Sequence, residues 1–381
     1  MRKKRTKRKK IYFDYGLLAV LICLICFGLV MLYSSSAYSA LVKYNDSMYY
    51  FKRQLIFCIA GAVGAGFIVK VMDYHWFFYK AKLIYFTSIF LMLLVQTPLG
   101  KEVNGARRWL RLPGGFTLQP AELAKVAVIL FIPFVICKLG KEIHTVRGFV
   151  QMAVWGGLSF ASVLFLTENL STAIIVVGIT GIVYFVAHRE TEPFLRLLVF
   201  GAVLVAVFVA FVGITMNNSA DFRMRRIITW LNPEQYASEG AYQTLQGLYA
   251  IGSGGFFGKG LGNSVQKTII PEVQNDMILS VICEELGVFG AIIILVLFGM
   301  LLYRLLFIAQ NAPDFYGSLV ATGIFAHIAL QVTLNVAVVT NTIPNTGITL
   351  PFISYGGTSF LFLMAEMGIA LNISSKIKFE E

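Results

Sequence analysis

Of the four carboxylates in the stretch PEVQNDMILSVICEELG, from Pro271 to Gly287, three stand at the edge of or inside an apolar helix. Asp276 stands where a polar loop gives way to an apolar helix, and Glu284 and Glu285 follow inside that helix. Acids in such surroundings are costly unless they are paired or working. An ionised Asp at this boundary suits the removal of a hydroxyl proton, provided that Arg or Lys nearby keeps it charged. The plainer alternative for Asp276 is a helix N-cap.

Cations that could accompany it fall in two loops. NGARRWL, Asn104 to Leu110, supplies Arg107 and Arg108, with Lys101 and Arg111 beside them. The segment from Thr215 to Asn275 holds Arg223, Arg225, Arg226, Lys259 and Lys267. Arg is suited to phosphate recognition, so an anionic ligand is one reading. Pairing with Glu102 and Asp221 is the other. LQPAELAK, Leu118 to Lys125, puts Pro120 in a first helical turn and Glu122 near its positive end. Glu122 and Lys125 are three residues apart and can pair. TENLSTA, Thr167 to Ala173, places Glu168 and Asn169 at a tight turn between two spans.

The stretch Gly240 to Ser264, with Gln243 and Ser253, ends in a glycine-rich loop that is not a Walker A site, because Gly260 follows Lys259 where Ser or Thr is needed. Its glycines could present backbone N–H groups to an anion or serve only as a turn. His327, Gln331 and Asn335 recur every four residues as a polar stripe facing the bundle interior, where interhelical hydrogen bonding is the simplest use. PNTGITLPFISYGGTS, Pro344 to Ser359, carries Ser354 and opens the last helix, in which Glu366 needs a partner.

The elements that position these residues are membrane spans. The chain of 381 residues is 57% hydrophobic and only 14% charged, about half the charged fraction of a soluble domain, and its mean hydropathy is +0.73. Apolar windows predict an all-α, polytopic integral membrane protein with about ten helices. Their centres are 15–37, 54–71, 82–98, 120–138, 149–166, 170–187, 194–214, 277–303, 315–339 and 350–373. Residues 1–14 form a basic tail, 15–375 the membrane domain, about 215–276 a large extracytoplasmic loop before the eighth helix, and 376–381 a short tail. MRKKRTKRKK reads as a cytoplasmic anchor to anionic lipid rather than a cleavable signal. With an even helix count, both termini are expected in the cytoplasm. Much of the +12 net charge sits in that tail, so nucleic acid is not expected as a partner. The five cysteines lie in apolar segments without metal-ligand spacing.

Taken together, these motifs resemble the SEDS family (shape, elongation, division and sporulation) of bacterial wall polymerases, which includes FtsW, RodA and SpoVE. The resemblance runs from the first span to the last. GLGNSVQK and NTGITLPFISYGGTS are closer to the FtsW branch. ENLSTA departs from the family's commoner Pro-Asp-x-Gly-Thr pattern, and Asn275 stands where a Thr often precedes the aspartate.

The resemblance implies a peptidoglycan glycosyltransferase that polymerises lipid II outside the cytoplasmic membrane, with septal use in cell division favoured. It makes Asp276 the match to the family's essential aspartate, acting on the acceptor 4-hydroxyl with inversion and release of undecaprenyl diphosphate. Substrate contacts are then expected from Asn104, Arg107, Arg108, Glu122, Lys125, Glu168, Gln243 and Ser253, with Glu284, Glu285, Asn335 and Ser354 supporting the site. No dedicated cofactor is implied. A divalent cation (Mg or Mn) could share the diphosphate charge, although the sequence has no cage for one. The expected partners are a class B penicillin-binding protein transpeptidase and other divisome membrane proteins. A lipid II flippase and a noncatalytic division scaffold are the competing hypotheses. The flippase requires a sheltered polar path across the bilayer, whereas the distinctive motifs here gather on the outer side.

Overall fold

A computed structural model describes residues 9–103, 106–111, 117–188, 222–237 and 241–380, with scattered positions between 190 and 209. Among the described residues, nine helices are long and apolar enough to cross a membrane. They are α1 (Tyr15–Tyr44), α2 (Tyr49–Val71), α3 (His75–Val95), α4 (Pro120–Leu139), α5 (Val146–Ala161, prolonged by a π turn), α6 (Leu170–Ala187), α9 (Ile278–Asn311), α10 (Phe315–Val339) and α11 (Gly357–Ser374). The expected span 194–214 lies largely outside the described residues. Two shorter helices, α7 (Phe222–Leu231) and α8 (Tyr242–Gly254), belong to the long loop before α9.

Local chemistry sets several helix starts. Asp14, Asn169 and Asp314 accept hydrogen bonds from Leu17, Thr172 and Gly317 N–H, and Pro120 occupies the first turn of α4. Their apolar burial then decides the layering. α4 is the central rod, with 72% of its spanning window buried, whereas α2, at 22%, lies at the edge. Small residues let neighbours close up. A Cβ on Gly61 would meet the Met364 side chain at 2.8 Å, and one on Gly368 would meet Ala65 at 3.0 Å, so α2 and α11 pack tightly. Ile59, Val63 and Phe67 on α2, and Ile292, Val296 and Met300 on α9, remain on the outer surface, as lipid-facing residues must.

Three departures from the expected helices matter for the site. First, α1 runs on to Tyr44, where Asn45 closes it in the left-handed conformation. Second, the last helix begins at Gly357 rather than at 350. Residues 340–356 instead fold back between helices, and Ile348, Leu350, Phe352 and Ile353 are buried there. Gly28 of α1 admits this segment: a Cβ there would stand 2.5 Å from the Phe352 carbonyl oxygen. Third, α9 is broken at Gly287, whose φ is +70° and ψ −170°.

Two small sheets cap the ends. β1 (Lys9–Ile11) pairs antiparallel with β5 (Lys378–Glu380) near the termini, and Arg304 bonds Asp14 at 2.6 Å beside them. On the opposite face β2 (Gly100–Val103), β3 (Ala106–Arg111) and β4 (Thr117–Leu118) form an antiparallel sheet with a bulge between Lys101 and Glu102. That sheet carries Arg107 and Arg108.

Candidate active site

Asp276 sits just before α9, on the face that also carries β2–β4, the 167–169 turn and the 340–356 segment. Its backbone carbonyl accepts a 2.9 Å hydrogen bond from Asn335 Nδ2 on α10, which also donates to the Ile348 carbonyl at 2.7 Å. One turn along α10, Gln331 Nε2 donates to the Thr349 carbonyl at 3.0 Å. Ser354 Oγ accepts from Leu350 N–H at 2.8 Å. These bonds explain the polar stripe. Non-helical backbone inside a bundle must find partners: Asn335 serves the folded-back loop and the Asp276 carbonyl, and Gln331 serves both that loop and, through Lys125, helix α4. His327 differs, joining Glu366 on α11 at 2.8 Å and Gln331 at 2.8 Å.

The Asp276 carboxylate is half-buried. Gln243 Nε2 on α8 donates to its Oδ1 at 3.2 Å, and the Cβ position of Gly347 lies 3.9 Å from its Oδ2. Crowding by protein pushes the carboxyl above the ordinary carboxylate value. Its own backbone N–H, Gln243 and the Arg226 charge pull it back, and Glu272 pushes it up. Arg226, on α7, is in turn lowered by burial and by the Arg108 charge, and raised by Asp276. Asp276, Arg226 and Arg108 thus share one electrostatic neighbourhood. Arg226 was visible in sequence only as one of several loop cations. Its spacing from Arg223 on a short amphipathic helix did not say which guanidinium approaches the carboxylate.

The other expected site residues divide clearly. Arg108 Nη2 donates to the Glu168 carbonyl at 3.1 Å, joining β3 to the 167–169 turn, while the Glu168 side chain is exposed and its φ is +50°. Arg107 pairs with Glu102 at 3.3 Å on an exposed surface. Lys125 is buried, 2.9 Å from Glu122 and 3.2 Å from Gln331 Oε1. Gln331 precedes Asn335 by four residues, about 6 Å along a helix, so the Lys125 ammonium lies one turn beneath the Asp276 carbonyl. Asn104 falls outside the described residues.

Ser253 Oγ lies 2.9 Å from Lys259 Nζ and 3.4 Å from Glu284 Oε1. The glycine loop is not an anion nest. Lys259 and Gly260 N–H donate to the Glu284 and Glu285 carbonyls, each at 2.9 Å, while Val288 and Phe289 N–H donate to Gly255 and Phe256 at 3.0 and 3.1 Å. These carbonyls and N–H groups flank the break at Gly287, so the loop replaces the helical bonds lost there. The Glu284 carboxylate draws the loop in further through Lys259 Nζ (2.7 Å), Ser264 Oγ (2.5 Å), Val265 N–H and Gln266 N–H (each 3.2 Å). Glu285 binds Lys267 Nζ at 3.1 Å and Ser34 Oγ on α1 at 2.6 Å. Both acids are fully buried and fully engaged in structure. Among the described residues no three His, Cys, Asp or Glu side chains gather to hold a metal ion.

A polytopic helical membrane protein with a crowded carboxylate and guanidinium groups at one mouth of the bundle defines the class. Residues 15–378 match the family model of the cell cycle proteins FtsW, RodA and SpoVE, and the chain belongs to that family. It is 40% identical to stage V sporulation protein E of Bacillus subtilis over 96% of this chain and 98% of that protein. It is 39% identical to a probable peptidoglycan glycosyltransferase FtsW of Trichlorobacter lovleyi, over 96% and 94%. Among solved structures it resembles a chain from work on the coordination of polymerization and crosslinking by a peptidoglycan synthase complex, with TM-score 0.77, 28% identity, and 95% and 97% coverage. It also resembles the rod shape determining protein RodA of Thermus thermophilus, with TM-score 0.68, 26% identity, and 95% and 96% coverage.

Proposed function

We propose that this chain is a peptidoglycan glycosyltransferase that extends glycan strands from lipid II, with Asp276 as the general base. The observation that carries the reading is the single half-buried carboxylate sharing a neighbourhood with Arg226 and Arg108. In the reaction the acceptor 4-hydroxyl oxygen forms a bond to the donor anomeric carbon. Its proton passes to Asp276, and the bond from that carbon to the diphosphate oxygen breaks. The electron pair leaves with undecaprenyl diphosphate. Attack opposite the leaving group inverts the centre, so no covalent enzyme intermediate is needed. Arg108 and Arg226 are the groups that would offset the charge that develops on the diphosphate, while Lys125, paired with Glu122, holds Gln331 one turn below the Asp276 carbonyl. A raised carboxyl value strengthens the base once it is ionised. A divalent cation held by the diphosphate would need only one or two carboxylates from the protein, and no step here is routed through it.

The charge-compensating groups supporting this chemistry lie on one face, which favours polymerisation over lipid transport. A class B penicillin-binding protein is the proposed partner, in keeping with the similarity to a synthase complex. Septal use at the cytoplasmic membrane, with both termini in the cytoplasm, is our first assignment. The identity to stage V sporulation protein E, 40% against 39% to an FtsW, makes sporulation the second reading. The test is strand synthesis from purified lipid II, alone and with the transpeptidase. Asp276→Asn should lower the rate at least 10²-fold, the order of a lost general base, and synthesis at the wild-type rate refutes the assignment.

A further inference from the structure

The amides beside Asp276 are arranged in one direction. Gln243 Nε2 faces Asp276 Oδ1 at 3.2 Å and the Pro271 carbonyl at 3.4 Å. A backbone carbonyl can only accept, so this end of Gln243 is the nitrogen and its Oε1 points away. That oxygen accepts from Asn345 Nδ2 at 3.3 Å. Asn345 Oδ1 in turn accepts from Gly347 N–H at 3.0 Å, and a backbone N–H can only donate. Both ends of the chain are therefore fixed by groups with one role each. Donation runs from Gly347 through Asn345 and Gln243 to the carboxylate. Hydrogen bonds aligned in this way strengthen one another.

The relay engages one carboxylate oxygen and leaves the other beside Gly347, whose missing side chain keeps that edge open. Building on the glycosyltransferase reading, we propose that Asn345 is a positioning residue that acts through Gln243 to hold Asp276 with Oδ1 engaged and Oδ2 as the atom that takes the hydroxyl proton. Gln243, expected from sequence to contact substrate, then has both ends of its amide committed to the protein.

Asn345→Asp tests this with little change of shape. The aspartate still accepts from Gly347 but cannot donate to Gln243 Oε1. The Gln243 amide must turn over, presenting its oxygen to Asp276. In strand synthesis by the full-length protein from purified lipid II, kcat should fall about tenfold or more, the effect of one lost hydrogen bond to a charged group. KM should stay within about twofold and the acid limb of the pH profile should move to higher pH, because a donor that favours the ionised form has been removed. Asn345→Leu removes the same donor without adding a charge that would itself raise the Asp276 carboxyl, and it should move the limb the same way. An unmoved limb in both variants, or a rise in KM alone, overturns the relay. Asp276→Asn, run in parallel, separates the two ideas. An inactive Asn variant with unmoved limbs in the others sinks the relay only, whereas an active one sinks the base assignment on which it rests.

Discussion

Gly287→Ala should loosen the site without touching any residue near the reacting atoms. The wild-type φ of +70° with ψ −170° lies in a region that is essentially reserved for glycine, and forcing another residue there costs about 1–3 kcal/mol. The new Cβ would stand 2.2 Å from the Phe256 carbonyl oxygen and 2.5 Å from Gly258 N. Both are backbone atoms, so no rotamer change relieves the clash and the loop must move. Moving it strains the four backbone bonds that bridge the break. Losing two of them adds about 1–3 kcal/mol at roughly 0.5–1.5 each. The total is about 2–6 kcal/mol. At 2–4 °C per kcal/mol, the scale for domains of about 200 residues, the thermal midpoint in detergent should fall by about 5 °C or more. Limited proteolysis should cut within Gly255–Ser264, and strand synthesis should fall with it, because the turns that follow Asp276 lose their anchor. Gly64→Ala is the control, since its Cβ meets nothing within 4 Å. A Gly287→Ala protein with the wild-type midpoint and a protected loop would refute the account of the broken helix.

Arg226→Gln removes a positive charge that lowers the Asp276 carboxyl. Ionisation then begins at higher pH, so the acid limb of strand synthesis should move up, read from initial rates across the acidic range. The same carboxyl bears on stability. Its folded value is raised, so the folded state holds the proton more tightly, and stability falls as pH rises from the unfolded value through the folded one. Asp276→Asn removes that loss, and its thermal midpoint at neutral pH should equal or exceed the wild type while synthesis is lost. Lys125→Met strands the buried Glu122 carboxylate and should cost about 3–5 kcal/mol. Adding Glu122→Leu should restore most of the midpoint without restoring synthesis, because an apolar pair replaces the ion pair but not the hydrogen bond from Lys125 to Gln331.

The spans were legible because apolar runs of bilayer length have few alternatives, and α4, α6 and α10 begin and end within a residue or two of the expected limits. The Glu122–Lys125 pair was legible from its spacing alone. The apolar windows misread 350–356, because an apolar loop sheltered by Asn335, Gln331 and Ser354 has the composition of a span. The structural contacts of Ser253 and the glycines were hidden for a related reason. Their partners, Glu284 and Glu285 and the carbonyls freed at Gly287, lie some thirty residues away in sequence.

By itself the sequence determined that this is a helical membrane protein and that its costly acids and loop cations need reasons to exist. It also singled out Asp276, since a carboxylate at a loop–helix boundary is a local property of residue type and hydropathy. Which acids support the fold and which is open to react was decided only by tertiary structure. Glu284 and Glu285 are consumed by the loop that mends the break in α9. Asp276 keeps one oxygen at an edge lined by Gly347, with Arg226 and Arg108 brought near from separate elements. Burial and charge proximity act through space. Their outcome depends on which segments the helix packing brings together, and no window of the chain contains that information.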